Sequence, residues 1–212
     1  MKKIKILFQG DSITDGGRDR RNYHHMGNSY PKYAAQLIRE AYPDVEFEFI
    51  NFGISANRSG QLFDRIYLDG IAFQPDIMSI LIGVNDVWHR YNPEHVYTTD
   101  AQYELNYRCT LDFIREKTNA KLLLLQPYTL NEHQAEMRDD VVKVIKIADK
   151  IAEEYADGYI RLDEIMRADE NHNDPTYFSF DGVHPNQTGA QYIAKLYLDA
   201  IKPMIDEIIA KQ

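Results

Sequence analysis

The chain carries one cysteine, Cys109, so no intrachain disulfide can brace it. Free cysteine is among the most buried residue types, and its neighbours Leu105, Leu111 and Ile114 predict a buried structural thiol. Long apolar runs are missing as well. No segment is apolar over the roughly 20 residues that a membrane-spanning helix needs. Met1–Phe8 begins with lysines at 2 and 3, but Lys5 interrupts its apolar run and Gln9-Gly10-Asp11 ends it. That run is too short for a secretory core; it reads as a first strand, with a cytoplasmic location expected. Positive charge is in deficit: 24 Lys and Arg stand against 33 Asp and Glu, a formal net charge of −9. Nucleic acids and anionic membranes favour basic surfaces, so neither is an expected partner. There is no Gly-x-x-x-x-Gly-Lys and no Gly-x-Gly-x-x-Gly, which leaves Gly16 and Gly17 as turn residues rather than a phosphate cradle. A Gly-x-Ser-x-Gly nucleophile elbow is absent too, because Gly53-Ile54-Ser55-Ala56-Asn57 ends in asparagine.

What is present suits one domain over residues 1–212, large enough for a single substantial core. Short apolar runs at Ile4–Phe8, Ile77–Ile82 and Lys121–Gln126 read as buried strands. Val45–Asn51 alternates and reads as a strand nearer a sheet edge; Tyr159–Leu162 is a fifth. Helical spacing links Tyr30 to Ala41, Met137 to Tyr155, and Ala190 to Ile201, with Pro203 expected to disturb the end of the last helix. Strands alternating with helices predict an α/β fold with a parallel sheet covered on both faces. In such sheets ligands bind at the carboxyl ends of the strands, where the unusual polar loops fall.

The loop after the first strand reads FQGDSITDGG and contains Ser12. Alone, that serine is a nucleophile, a helix cap or an ordinary loop hydroxyl. A nucleophile needs a base, and the base needs an orienting group. The segment DGVHP, residues 181–185, supplies both, with Asp181 and His184 three residues apart before a helix. Acyl transfer also needs donors for an oxyanion. NFGIS places Gly53 at a strand end, IGVND places the Asn85 amide likewise, and the Ser12 N–H can be the third.

Taken together, Gly10-Asp11-Ser12-Ile13, Gly53, Gly83-Val84-Asn85-Asp86 and Asp181-Gly182-Val183-His184-Pro185 resemble the four blocks of the GDSL-type esterases, the SGNH hydrolase superfamily. Ile13 replaces the usual leucine, a conservative departure. The resemblance implies a flavodoxin-like three-layer α/β/α sandwich on a five-stranded parallel sheet, with ester hydrolysis that needs no metal and no cofactor. Carried over by position, Ser12 is the nucleophile, His184 the base and then acid, and Asp181 its orienter. Ser12 N–H, Gly53 N–H and the Asn85 amide form the oxyanion hole. Within the superfamily, IGVNDVWHRY and GDSITDGGR look most like acetyl-xylooligosaccharide esterases and related carbohydrate acetylesterases. The expected substrate is therefore a small acetylated carbohydrate.

Candidate substrate contacts are Trp88 and Tyr91, as aromatic faces for a sugar ring, with Arg90 and Asp11. Asp11, like Asp86, also reads as a backbone hydrogen-bonder in its loop, and Arg18 and Arg90 as partners for acidic neighbours. Arg18–Asn28 is a polar insertion suited to a lid or a subunit contact, leaving a homo-oligomer open. His24-His25 has no third ligand at metal spacing. Fifteen tyrosines point to aromatic surfaces. Other readings are a lipase or thioesterase with the same machinery, a two-metal phosphoesterase, and a non-catalytic sugar-binding module. The first wants aliphatic loops, the second lacks its histidine, and the third is opposed by the intact Ser, Asp and His.

Overall fold

A computed structural model describes residues 3–91, 96–130, 132–174 and 176–211. Its centre is a parallel sheet of five strands: β1 (Ile4–Gly10), β2 (Phe47–Asn51), β3 (Ile77–Leu81), β4 (Lys121–Leu125) and β5 (Gly158–Ile160). Their order is β2-β1-β3-β4-β5. The register sets Ile6 between Phe49 and Ile77, and Leu81 beside Leu125. β1, β3 and the leucines of β4 are buried on both faces, which is why they read as continuous apolar runs. β2 lies at an edge, as its alternation implies.

The helices are α1 (Ser12–Asp15), α2 (Tyr30–Ala41), α3 (Ser59–Arg65), α4 (Val84–Tyr91), α5 (Asp100–Lys117), α6 (Arg138–Tyr155), α7 (Leu162–Ala168) and α8 (Gln187–Ala210). One layer pairs α2 with α8; in the other, α3 packs on α5 and α5 on α6. This is the three-layer α/β/α sandwich that the resemblance implies.

Several expectations are corrected. Helix α8 runs through Pro203 to Ala210. Pro203 and Asp199 are both exposed, so the carbonyl that loses its partner faces water and the break is avoided. The fifth strand stops at Ile160, and Leu162 starts α7 instead. Cys109 is half-buried, while Leu105 beside it is 61% exposed. A third of the fifteen tyrosines belong to the core rather than to an aromatic surface: Tyr30, Tyr103, Tyr107, Tyr128 and Tyr197 are fully buried. Two of them find hydroxyl partners, Tyr197 on Ser79 at 3.0 Å and Tyr30 on Thr14 at 3.2 Å, the polar tip that lets a tyrosine fill a core.

The Arg18–Asn28 insertion is a strap along the edge of the sheet. His24 Nδ1–H donates to Phe49 O (3.0 Å), Asn51 N–H to Tyr23 O (2.8 Å) and Asn51 Nδ2 to Met26 O (3.1 Å). An open strand edge invites pairing with another chain, and the strap occupies this one. His25 has a separate task, accepting the Asp19 N–H at its Nδ1 (2.8 Å). Among the described residues no helix is long and apolar enough to cross a membrane.

Candidate active site

The chain leaves β1 for β2 on one side and later reaches β3 on the other, so the sheet order reverses at the end of β1. Open α/β sheets bind ligands at that switch point. Gly10 ends β1 at φ +155°, where a side chain would strike Leu81 O and Thr14. The tight exit lets Asp11 cap α1, its Oδ1 accepting the Ile13 N–H at 3.0 Å. Ser12 is thereby the first residue of α1, with its hydroxyl in a cleft of about 570 Å³.

The partners of Ser12 come from the other end of the chain. An isolated bridge between Ser179 and Pro185 closes the 179–185 loop, and Leu130 N–H donates to Gly182 O (2.8 Å) to pin it. Inside the loop, Asp181 Oδ1 accepts Val183 N–H (3.0 Å) and His184 N–H (2.8 Å). Asp181 Oδ2 takes His184 Nδ1–H at 2.6 Å, and His184 Nε2 meets Ser12 Oγ at 2.8 Å. A separation of 172 residues in sequence becomes one hydrogen bond. Burial alone would raise Asp181, but the His184 ring and the two amides outweigh it and hold its carboxyl far below the usual carboxylate range. The same bond raises the His184 imidazole above its ordinary value, against the pull of burial.

Asn85 lies in the first turn of α4 and lines the cleft. Its Nδ2 gives one hydrogen to Asn57 O (3.1 Å), which leaves the second for the cleft. Gly53 does not line the cleft. Its N–H donates to Asn51 Oδ1 (2.8 Å) and its carbonyl accepts Arg18 Nε (2.9 Å). It is glycine because a Cβ would collide with the backbone of Thr14 and Asp15 in α1. The loop's residues in the cleft are Ser55 and Ala56, the latter held at φ +66°. Among the described residues neither the Ala56 N–H nor the Ser12 N–H is spent on another group. The Gly53 N–H expected as a backbone donor is thus engaged within its own loop, while the Ala56 N–H, three residues on, is the one beside the cleft. Ala56 escaped notice because only its left-handed backbone distinguishes it from any alanine. Relieving that conformation should stabilise the fold: Ala56→Gly is expected to gain roughly 1 kcal/mol in urea unfolding.

Of the expected substrate contacts, Trp88 lines the cleft, its ring 5.8 Å from that of His184. Asp11 is buried completely beneath Ser12, and burial pushes its carboxyl up to about 7. It has no surface to offer a substrate. Arg90 is only 6% exposed; it ties Asp86 O, Thr98 O, Asp100 and Asp140 together. Tyr91 turns its hydroxyl to Asp140 at 3.2 Å, away from the residues that line the cleft. Asp86 accepts Ser59 N–H (2.9 Å) and Oγ–H (2.6 Å), and burial raises it to about 6. Among the described residues no group of three His, Cys, Asp or Glu could hold a metal ion.

Comparison with known proteins gives this geometry a setting. Residues 8–192 match the model of the GDSL-like lipase/acylhydrolase family. An acetylxylan esterase of Geobacillus stearothermophilus is 31% identical over 210 residues, covering 93% of both chains. An acetylxylan esterase of Xylanibacter ruminicola is 27% identical over 94% of this chain and 43% of that longer protein. The crystal structure of a Parabacteroides merdae protein described as a GDSL-like lipase superposes with a TM-score of 0.88 at 34% identity, over 93% of this chain and 95% of that one. The Geobacillus enzyme superposes at 0.82 with 29% identity, over 92% and 93%. Its variants described as catalytic mutants replace a serine and an aspartate by alanine. The chain belongs to the GDSL-like lipase/acylhydrolase family and is a carboxylic ester hydrolase.

Proposed function

We propose that the protein removes O-acetyl groups from short carbohydrates, acetylated xylo-oligosaccharides first among them, through an acetyl-enzyme on Ser12. The observation that carries this is the Ser12–His184–Asp181 chain of 2.8 and 2.6 Å contacts opening on the cleft of about 570 Å³. Neutral His184 takes the Ser12 proton at Nε2 while Oγ attacks the acetyl carbonyl carbon. The Asn85 amide and the Ser12 and Ala56 N–H groups receive the oxyanion. Collapse breaks the ester bond, and His184 Nε2–H protonates the departing sugar oxygen. Water, deprotonated by the same nitrogen, then releases acetate and restores Ser12.

The lining favours this substrate class. Ser12, Asn28, Ser29, Ser55, Asn85, His89 and His184 bring hydrogen-bonding groups to the cleft, and no Leu, Ile, Val or Phe is among its described lining residues. A long acyl chain would bury little apolar surface there. Trp88 stands beside the imidazole that protonates the leaving alcohol, so its face is placed for the sugar ring. Both curated relatives act on acetylxylan by name. The cytoplasm is the proposed location, and a metal or cofactor has no step in the scheme.

The test compares acetate release from acetylated xylo-oligosaccharides and 4-nitrophenyl acetate with release from an octanoyl ester and a phosphate ester, with and without chelator. The expected result is an acetyl preference of at least about 100-fold over octanoyl, the order of discrimination one pocket supplies, with no effect of chelator. An octanoyl preference would move the reading to a lipolytic enzyme. Chelator-sensitive phosphate release would end it.

A further inference from the structure

Arg65, the last residue of α3, is a residue that neither the motifs nor the cleft lining single out. Its side chain is 14% exposed and its guanidinium reaches the end of β1 and two points of the loop between β2 and α3. Nε donates to Asn57 Oδ1 at 2.7 Å. Nη1 donates to Gln9 Oε1 and Phe52 O, both at 2.8 Å, and Nη2 to Gly10 O at 3.1 Å. The sole carboxylate in contact among the described residues, Asp69, is longer at 3.4 Å. The acceptors are mostly neutral carbonyls at the carboxyl ends of β1 and β2, where a fold needs alignment more than charge balance. Burial lowers the guanidinium to about 10, so it stays charged near neutral pH.

Asn57 stands between Arg65 and the site. Its side-chain oxygen is held by Arg65, its N–H donates to Ile54 O (3.1 Å), and its carbonyl holds one Asn85 amide hydrogen (3.1 Å). Ile54 N–H in turn donates to Gly10 O (3.1 Å), the same carbonyl that Arg65 Nη2 reaches. The orientation of the Asn85 amide is therefore set by Asn57, and the place of Asn57 by Arg65. A planar fork of five donors can hold the end of β1 and the loop after β2 at fixed separations; the point charge of lysine cannot. Oxyanion donors are effective because they need no reorganisation at the moment of reaction.

We propose that Arg65 is a positioning residue for ester hydrolysis, acting through Asn57 to fix the Asn85 amide. This rests on the oxyanion reading above. An oxyanion exists only beyond the ground state, so a loosened donor lowers kcat and leaves KM nearly unchanged.

The test measures kcat and KM for 4-nitrophenyl acetate in Arg65→Lys, Asn57→Ala, Asn85→Ala and the doubles with Asn85→Ala. Arg65→Lys is expected to lower kcat by about 10- to 100-fold, the scale of a small misplacement of a catalytic group, with KM within threefold. Asn57→Ala cuts only the Nε bond and should lose about 10-fold; it carries the test if thermal unfolding shows Arg65→Lys to be misfolded. Each double should stay within about threefold of Asn85→Ala alone, since residues that act in series are not additive. Losses that multiply would overturn the proposal. A costly Asn85→Ala beside silent Arg65→Lys and Asn57→Ala overturns it alone, whereas a silent Asn85→Ala overturns the oxyanion reading together with it.

Discussion

Ser12→Ala should lower kcat for acetyl ester hydrolysis by on the order of 10⁶, the cost of losing a nucleophile whose triad acts as a unit. Two other serines line the cleft, and neither can substitute. Ser55 Oγ donates to Asp15 Oδ2 at 3.0 Å, and Ser29 Oγ has no hydrogen-bond partner among the described residues. Only Ser12 Oγ meets His184 Nε2. The fold should be unaffected, because Ser12 is half-buried and its hydroxyl braces no element. Surface-like changes of that kind stay within about 0.5 kcal/mol. The oxyanion donors survive in the variant, so a residual rate some 10³–10⁴ above water is expected. Initial rates and covalent labelling by a fluorophosphonate check the two halves. A variant that keeps a tenth of the wild-type rate, or labels at another serine, would remove Ser12 from the mechanism.

Part of the candidate site was legible because Ser12 and Asn85 follow directly on the ends of β1 and β3. Apolar runs at 4–8, 77–82 and 121–126 announce buried parallel strands, and the polar block after each is brought to one edge of the sheet by topology alone. His184 and Asp181 were legible for another reason: three residues let one short loop present imidazole and carboxylate together. Backbone conformation was not legible. Gly53 looked like the donor because glycine permits close approach, and it does approach something closely, but that is the backbone of α1. The residue of that loop proposed as a donor is Ala56, where no side-chain chemistry marks it. Helix α5 went unread because tyrosines carry its buried face at 103 and 107, while Leu105 points outward. The Thr99–Gln102 capping box was its available signal. Arg90 carried two readings, a substrate contact and a partner for acidic neighbours, and the second fits: two carboxylates and two carbonyls draw it inside.

Asp181→Asn should lower kcat by on the order of 10⁴, and the loop itself explains why an isosteric change is so costly. Val183 N–H and His184 N–H both point at Oδ1. An asparagine at 181 must turn its carbonyl oxygen toward those donors, because the alternative sets NH₂ against N–H. Its NH₂ then faces His184 Nδ1, at the position where Oδ2 accepts today. Nδ1 must become an acceptor, which moves the ring proton to Nε2. That nitrogen can no longer take the proton of Ser12 Oγ, although every heavy atom stays in place. The pH profile separates this from simple damage. In the wild type the Asp181 bond lifts His184 above its ordinary value, and only the neutral ring is a base. Activity therefore rises with pH through a limb above the usual imidazole value of about 6.5. Without the carboxylate, burial lowers the ring against only the smaller opposing pull of Asp11, so the limb should move to lower pH as the plateau falls. Profiles of kcat/KM against pH for both forms check this. An unshifted limb, or a loss below tenfold, would mean that Asp181 does not set the state of His184.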